Sequence, residues 1–217
     1  VIATLFDFNG VLIDDEHVHL ASFREAIAPL GITVTDEAYE EDYLGFDDAG
    51  AFRAILQDAG RTPTDDEIAR LIAAKKPIYM RRIATDLVVF EGAVDIVRRR
   101  ARLGPVGIVS GALRDEIEHA LGVLGLRGEV QFIVAAEDTT ECKPQTQGYV
   151  LGLRALGRGA EGVVVVEDSL AGVAAAKNAG IRCAAVAHSY SADRLRAAGA
   201  DVVALRLADL TDAMLDP

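Results

Sequence analysis

Short apolar runs, rich in β-branched residues, alternate with helical stretches through the second half of this chain, and that alternation constrains the fold more than any other feature. The runs are Val106–Val109, Phe132–Val134, Val163–Val166, Cys183–Val186 and Val202–Val203. Helices are predicted between them, near 92–102, 112–124, 146–156, 170–179 and 191–198. A strand that is apolar at every residue has to be covered on both faces, and helical crossovers of a parallel sheet supply that cover. A Rossmann-like α/β parallel sheet is therefore expected, and the first apolar run, residues 2–6, joins it as a further strand.

A different texture separates that first strand from the rest. From Asp14 to Thr85 the apolar residues follow a helical period, as in Val18 to Ile27, in Phe52, Ile55, Leu56 and Ala59, and in Ile68, Leu71 and Ile72. Breaks fall at Pro29-Leu30-Gly31, Leu44-Gly45 and Gly60-Arg61-Thr62-Pro63, while Thr35-Asp36-Glu37-Ala38 and Thr64-Asp65-Asp66-Glu67 read as helix N-termini with acids in the first turn. No strand is expected in this stretch. The prediction is an all-helical cap domain, residues 14–85, inserted into a discontinuous α/β core domain made of 1–13 and 86–217.

Charge and cysteine content exclude some functions. A formal charge of -12 repels nucleic acid and anionic membrane, so neither is expected as a partner. Cys142 and Cys183 belong to no CxxC pair and read as reduced bystanders. No apolar stretch approaches the roughly 20 residues of a spanning helix, and a cytoplasmic monomer or weak homodimer is expected.

The polar residues at strand ends carry the chemistry. Asp7 follows the first strand and precedes a glycine, in Asp7-Phe8-Asn9-Gly10-Val11-Leu12. Ser110-Gly111 follows the Ile108-Val109 strand, Glu167-Asp168 follows the valine run, and Lys143-Pro144 precedes a helix. In a parallel sheet all strand C-termini share one edge, so these segments converge where open α/β sheets keep their active sites.

In that order the segments resemble the motifs of the haloacid dehalogenase superfamily, in the subgroup of phosphatases and β-phosphoglucomutase-like proteins with a helical cap after the first motif. The resemblance spans essentially the whole chain. It implies a hydrolase of small phosphomonoesters, of sugar phosphate or phosphoglycolate type, that forms an aspartyl-phosphate on Asp7. Ser110, Gly111 and Lys143 would hold the phosphoryl group, and Mg2+ would be held by Asp7, Asp168, Glu167 and the backbone carbonyl of Asn9. His19, on the first cap helix, is a candidate substrate contact, with a satisfied structural histidine as the competing reading.

The departure from the family pattern is Asn9. Relatives carry a second aspartate there, which protonates the leaving group and then deprotonates the attacking water; an amide does neither near neutral pH. Low or trapped activity follows. Asn9 is open to being native, introduced as a trap, or the mark of a phosphate-binding relic, and Asp14, Asp15 or Glu16 are the neighbouring acids that could replace it. These acids also suit a helix N-terminus. Alternatives to the phosphatase are a non-catalytic Mg2+ and phosphate binder, a 2-haloacid dehalogenase, and a phosphonate-cleaving relative. The last needs a Schiff-base lysine in the cap, for which Lys75 and Lys76 are the candidates, although their place before Pro77 predicts exposure. Arg53 is weighed as a cap contact against a solvated helix face. His188 follows a strand but matches no motif. The stretch Tyr43-Leu44-Gly45-Phe46-Asp47-Asp48 holds no base for a second phosphate, which disfavours a mutase.

Overall fold

The structure, a computed structural model, describes residues 2–44 and 46–216, the side chain of Asp86 excepted. Gly45, part of the break expected at Leu44-Gly45, lies outside the described residues, as do Val1 and Pro217. The chain runs through β1 (Ala3–Phe6), β2 (Ile13–Asp14), α1 (Glu16–Ile27), α2 (Asp36–Ala38), α3 (Asp48–Asp58), α4 (Asp65–Asp86), β3 (Val88–Val89), α5 (Ala93–Leu103) and β4 (Val106–Val109). It continues with α6 (Arg114–Val123), β5 (Phe132–Val134), α7 (Gln147–Leu156), β6 (Val163–Glu167), α8 (Leu170–Asn178), β7 (Arg182–Val186), α9 (Ala192–Ala197), β8 (Val202–Ala204) and α10 (Asp212–Leu215).

Six strands form one sheet in the order β5-β4-β1-β6-β7-β8, every pair parallel. Each apolar run read as a strand is one. The reason is visible in β1, β4 and β6, which are buried at every residue and so offer no polar face on which a helix or loop could terminate. Leu5, Val163, Val165, Val173, Ile181 and Cys183 meet in one core cluster on the sheet. Burying each such Val or Leu is worth about 1.5–3 kcal/mol. Phe6 pairs with Ile108 on one side and Val166 on the other, so Asp7, Ser110 and Glu167 leave neighbouring strands at nearly the same level. The chain order reverses between β1 and β6, which is the switch point where a crevice opens at the strand ends.

The chain divides into two compact units, Val1–Asp14 with Val88–Pro217 and Asp15–Leu87. In the first unit, β2 and β3 form an antiparallel ribbon, Ile13 opposite Val89 and Asp14 opposite Val88. A two-residue strand has too little pattern to show in sequence, and Asp14, read as part of the helical segment, belongs to this ribbon.

The second unit is helical. Phe23, Ile27, Val34, Phe52, Ile55, Leu56 and Ile68 make its core, with Phe23 and Phe52 edge to face at 4.8 Å. Thr35 and Thr64 accept from the amides of Ala38 and Glu67, as N-caps do. Two expectations need correction here. Lys75, expected to be exposed, is 1% accessible: its amine pairs with Asp48, meets His19 Nδ1 at 2.7 Å and lies 4.2 Å over the Phe23 ring. Its apolar stem packs well, and its charge is tolerated because it is paired. Asp15, read as an acid that complements the α1 dipole, makes no capping bond; it accepts from the Tyr79 hydroxyl and pairs with His19 Nε2 at 3.0 Å.

Candidate active site

Asp7 is buried at the end of β1, its amide donating to Val166 O at 2.9 Å. One carboxylate oxygen, Oδ2, lies 3.0 Å from Lys143 Nζ. The other, Oδ1, is buried with no hydrogen-bond partner among the described residues. Burial pushes the Asp7 carboxyl up, Lys143 opposes that and Glu167 adds to it, leaving the pKa at about 6.

Glu167 closes the other side of the lysine. Lys143 Nζ donates to Glu167 Oε1 at 2.5 Å and the Tyr149 hydroxyl to the same oxygen at 2.7 Å, while Oε2 accepts from the amides of Asp168 and Ser169 and from the Ser169 hydroxyl. Burial alone would raise Glu167; Lys143, Tyr149 and the Ser169 amide outweigh it and hold the carboxyl low. Lys143 shows the converse, its two carboxylate partners overcoming burial to keep it firmly charged. Burial and then Glu167 push the Tyr149 hydroxyl up, so it stays a donor.

Asp168 is buried beside them, and its carboxyl is pushed well up by burial, then by Glu167 and Asp7. The Ser189 hydroxyl donates to Asp168 Oδ2. Ligand atoms of Asp7, Glu167 and Asp168 all lie within 4.8 Å of one another. A divalent cation fits this set: Asp7 Oδ1 is buried without a partner among the described residues, and three buried carboxylates lie within reach of one ion. Glu167, proposed from sequence as a ligand, has both oxygens engaged by the protein.

Two glycines let the acids approach. Gly10 has a φ of 74°, and a Cβ there would fall on the Asp168 carboxylate; a Cβ at Gly172, in the first turn of α8, would fall on that of Glu167. Ser169 caps α8 by accepting from Gly172 N at 2.9 Å. Ser110, at the end of β4, donates its amide to Val134 O, and its Oγ accepts from Ala112 N at 3.2 Å; Gly111 is exposed beside it. Asn9 bridges to Ile13 in the loop after Asp7.

His19 belongs to the second unit, where both ring nitrogens are already engaged by Lys75 and Asp15. Arg53 pairs with Asp65. Three contributors escaped the sequence reading: Tyr149 on Glu167, Ser189 on Asp168, and His188 on the Gly10 carbonyl. His188 and Ser189 follow β7 on the same sheet edge as Asp7, a place already legible for His188 but tied to no motif.

A doubly wound sheet whose switch point carries a buried acid, a clamped lysine and two further acids has the groups to hold a divalent cation and an anionic substrate. The chain belongs to the family described as haloacid dehalogenase-like hydrolase, whose profile matches residues 4–186. It is 30% identical over 210 residues to validoxylamine A 7'-phosphate phosphatase of Streptomyces hygroscopicus subsp. limoneus, covering 96% of this chain and 93% of that protein. Among solved structures it resembles CbbY of Rhodobacter sphaeroides, as an aspartate-to-asparagine mutant in complex with xylulose-(1,5)bisphosphate, with a TM-score of 0.89, 29% identity and 100% of both chains covered. CbbY in complex with phosphate superposes with a TM-score of 0.88 at 28% identity, covering 99% of each chain. No helix among the described residues is long and apolar enough to cross a membrane.

Proposed function

We propose that this protein is a magnesium-dependent hydrolase of small phosphorylated metabolites of sugar-phosphate type, working through a phosphoryl group carried on Asp7. The observation that carries the reading is the Asp7 carboxylate itself: one oxygen held by Lys143 at 3.0 Å, the other buried without a partner among the described residues. With a pKa of about 6, Asp7 is mostly ionised at neutral pH and able to attack phosphorus. Its oxygen would form the new bond to phosphorus as the bond to the substrate alkoxide breaks, and water would then displace Asp7 from the phosphoryl group. Glu167 holds Lys143 against the transferring group, and Ser110 and Gly111 stand at the neighbouring strand end as further donors. Asp7 and Asp168 would hold Mg2+, which neutralises charge on the phosphoryl oxygens.

Both displacements need a proton moved, and Asn9 leaves the chain's own loop unable to do it. Slow turnover with intact binding is the expected phenotype. The same residue supports the second reading, a magnesium and phosphate binder without turnover.

The substrate class rests on the relatives' phosphorylated sugars and sugar-like compounds, and on the helical unit read as a cap. There Lys75 is neutralised by Asp48, and the stretch from Tyr43 to Asp48 carries no base, which favours a monophosphate over a bisphosphate. The test is a panel of sugar monophosphates and bisphosphates with magnesium and with chelator, for this chain and for Asn9→Asp. Magnesium-dependent phosphate release, faster in the variant, is the expected result. Saturable phosphate binding with no turnover in either protein would favour the binder.

A further inference from the structure

We infer that His188 and Ser189, consecutive residues after β7, form a bracket that sets the spacing between the Asp7 loop and Asp168, His188 acting as a positioning residue through the Gly10 peptide. The inference rests on reading Asp7 and Asp168 as the reacting site.

The His188 ring is fixed on three sides. Its Nδ1 lies 2.7 Å from the Gly10 carbonyl oxygen, and a carbonyl only accepts, so Nδ1 carries the proton. Its Nε2 accepts from the amide of Leu207 at 3.3 Å, and an amide only donates. The two contacts select one neutral tautomer. The Phe90 ring stacks on the imidazole, centroids 3.8 Å apart and planes 18° apart, and Phe90 itself donates its amide to Leu12 O at 3.1 Å.

The contact with Gly10 matters because of what Gly10 touches. The side of Gly10 where a Cβ would stand is filled by the Asp168 carboxylate, and the oxygen nearest that point, Oδ2, is the one that accepts from the Ser189 hydroxyl. One dipeptide therefore grips both partners of a single close contact, His188 the loop and Ser189 the acid. The grip is rigid because β7 pairs with β6 up to Ala185 opposite Glu167. The loop transmits it: Gly10 N donates to Ile13 O at 2.9 Å, and the amides of Leu12 and Ile13 return to Phe8 O at 2.8 and 3.3 Å. A shift at Gly10 thus reaches Phe8, the residue next to Asp7.

The geometry separates two conservative substitutions. In His188→Asn the side-chain amide nitrogen can take the place of Nδ1 and keep the Gly10 bond; in His188→Gln the amide reaches the Nε2 position and keeps only the Leu207 bond. Hydrogen exchange over residues 8–13 is measured by mass spectrometry on parent, His188→Asn, His188→Gln, His188→Ala and Ser189→Ala, with melting temperatures alongside. Exchange about tenfold faster in the Gln and Ala variants, and within about twofold of the parent in His188→Asn, is expected for loss or retention of one hydrogen bond. Turnover of p-nitrophenyl phosphate should follow the same order, in kcat rather than KM. Equal exchange in His188→Asn and His188→Gln, or unchanged exchange in all variants, would overturn the bracket. If the histidine variants fail to fold, Ser189→Ala decides, with faster exchange at 8–13 expected and parental exchange contradicting it. Absence of turnover in both parent and Asn9→Asp counts against the phosphatase reading alone, since exchange still reports on the bracket.

Discussion

Removing the ammonium of Lys143 would leave three buried carboxylates facing one another. In Lys143→Ala, Asp7 loses a cation 3.0 Å away and Glu167 loses one at 2.5 Å. Breaking a buried pair by deleting one partner costs roughly 3–5 kcal/mol. Lys143 keeps 20% of its side chain exposed, which puts the cost at the lower end, about 3 kcal/mol near pH 8 without metal. At roughly 2–4 °C per kcal/mol for a chain of this size, the melting temperature should fall by about 6–12 °C. The pH dependence carries the physics. In the parent, Lys143 holds the Glu167 carboxyl low and opposes the rise at Asp7; without it both bind protons to higher pH in the folded state than in the unfolded one. The folded variant therefore gains protons as pH falls, and its deficit should shrink from pH 8 to pH 5, while magnesium at pH 8 should restore part of it. Thermal melts at both pH values, with and without magnesium, read this directly. A deficit that is the same at pH 5 and pH 8, and indifferent to magnesium, would refute the electrostatic reasoning and leave only lost packing.

Other consequences follow from the same residues. Burial raises the Asp7 carboxyl from 3.8 to about 6, so its ionisation should cost the metal-free protein up to about 3 kcal/mol as pH climbs through that window; melts across pH 4–7 in chelator should show the decline and magnesium should flatten it. Gly172→Ala places a methyl group on the Glu167 carboxylate and should destabilise the fold by about 1–3 kcal/mol while releasing Lys143, seen as a lower melting temperature together with weakened phosphate binding. Asn9→Asp should raise kcat by about 100- to 10,000-fold with little change in KM, read in steady-state phosphate release.

The strands of the sheet were legible because each carries a short apolar run, and a run such as Val163–Val166 has no other way to be satisfied than burial on both faces. Asp7, Ser110, Lys143 and Glu167-Asp168 were legible because strand ends and a helix start mark them in sequence. The β2–β3 ribbon was not, being too short for any period, and Lys75 was not, because its burial depends on Asp48 and Phe23 arriving from other helices. Tyr149 and His188 escaped for the same reason: their partners Glu167 and Gly10 lie 18 and 178 positions away, and no local pattern encodes the meeting. The candidate residues stand where the backbone periodicity ends; the contacts that support them exist only once the sheet has formed.

Mass spectrometry of Asp7 after incubation with magnesium and a sugar monophosphate is the most direct measurement. Phosphate on the Asp7 peptide, accumulating in this chain and turning over in Asn9→Asp, is the predicted result. An unmodified Asp7 in both proteins, alongside measurable phosphate release, would contradict the carboxylate nucleophile.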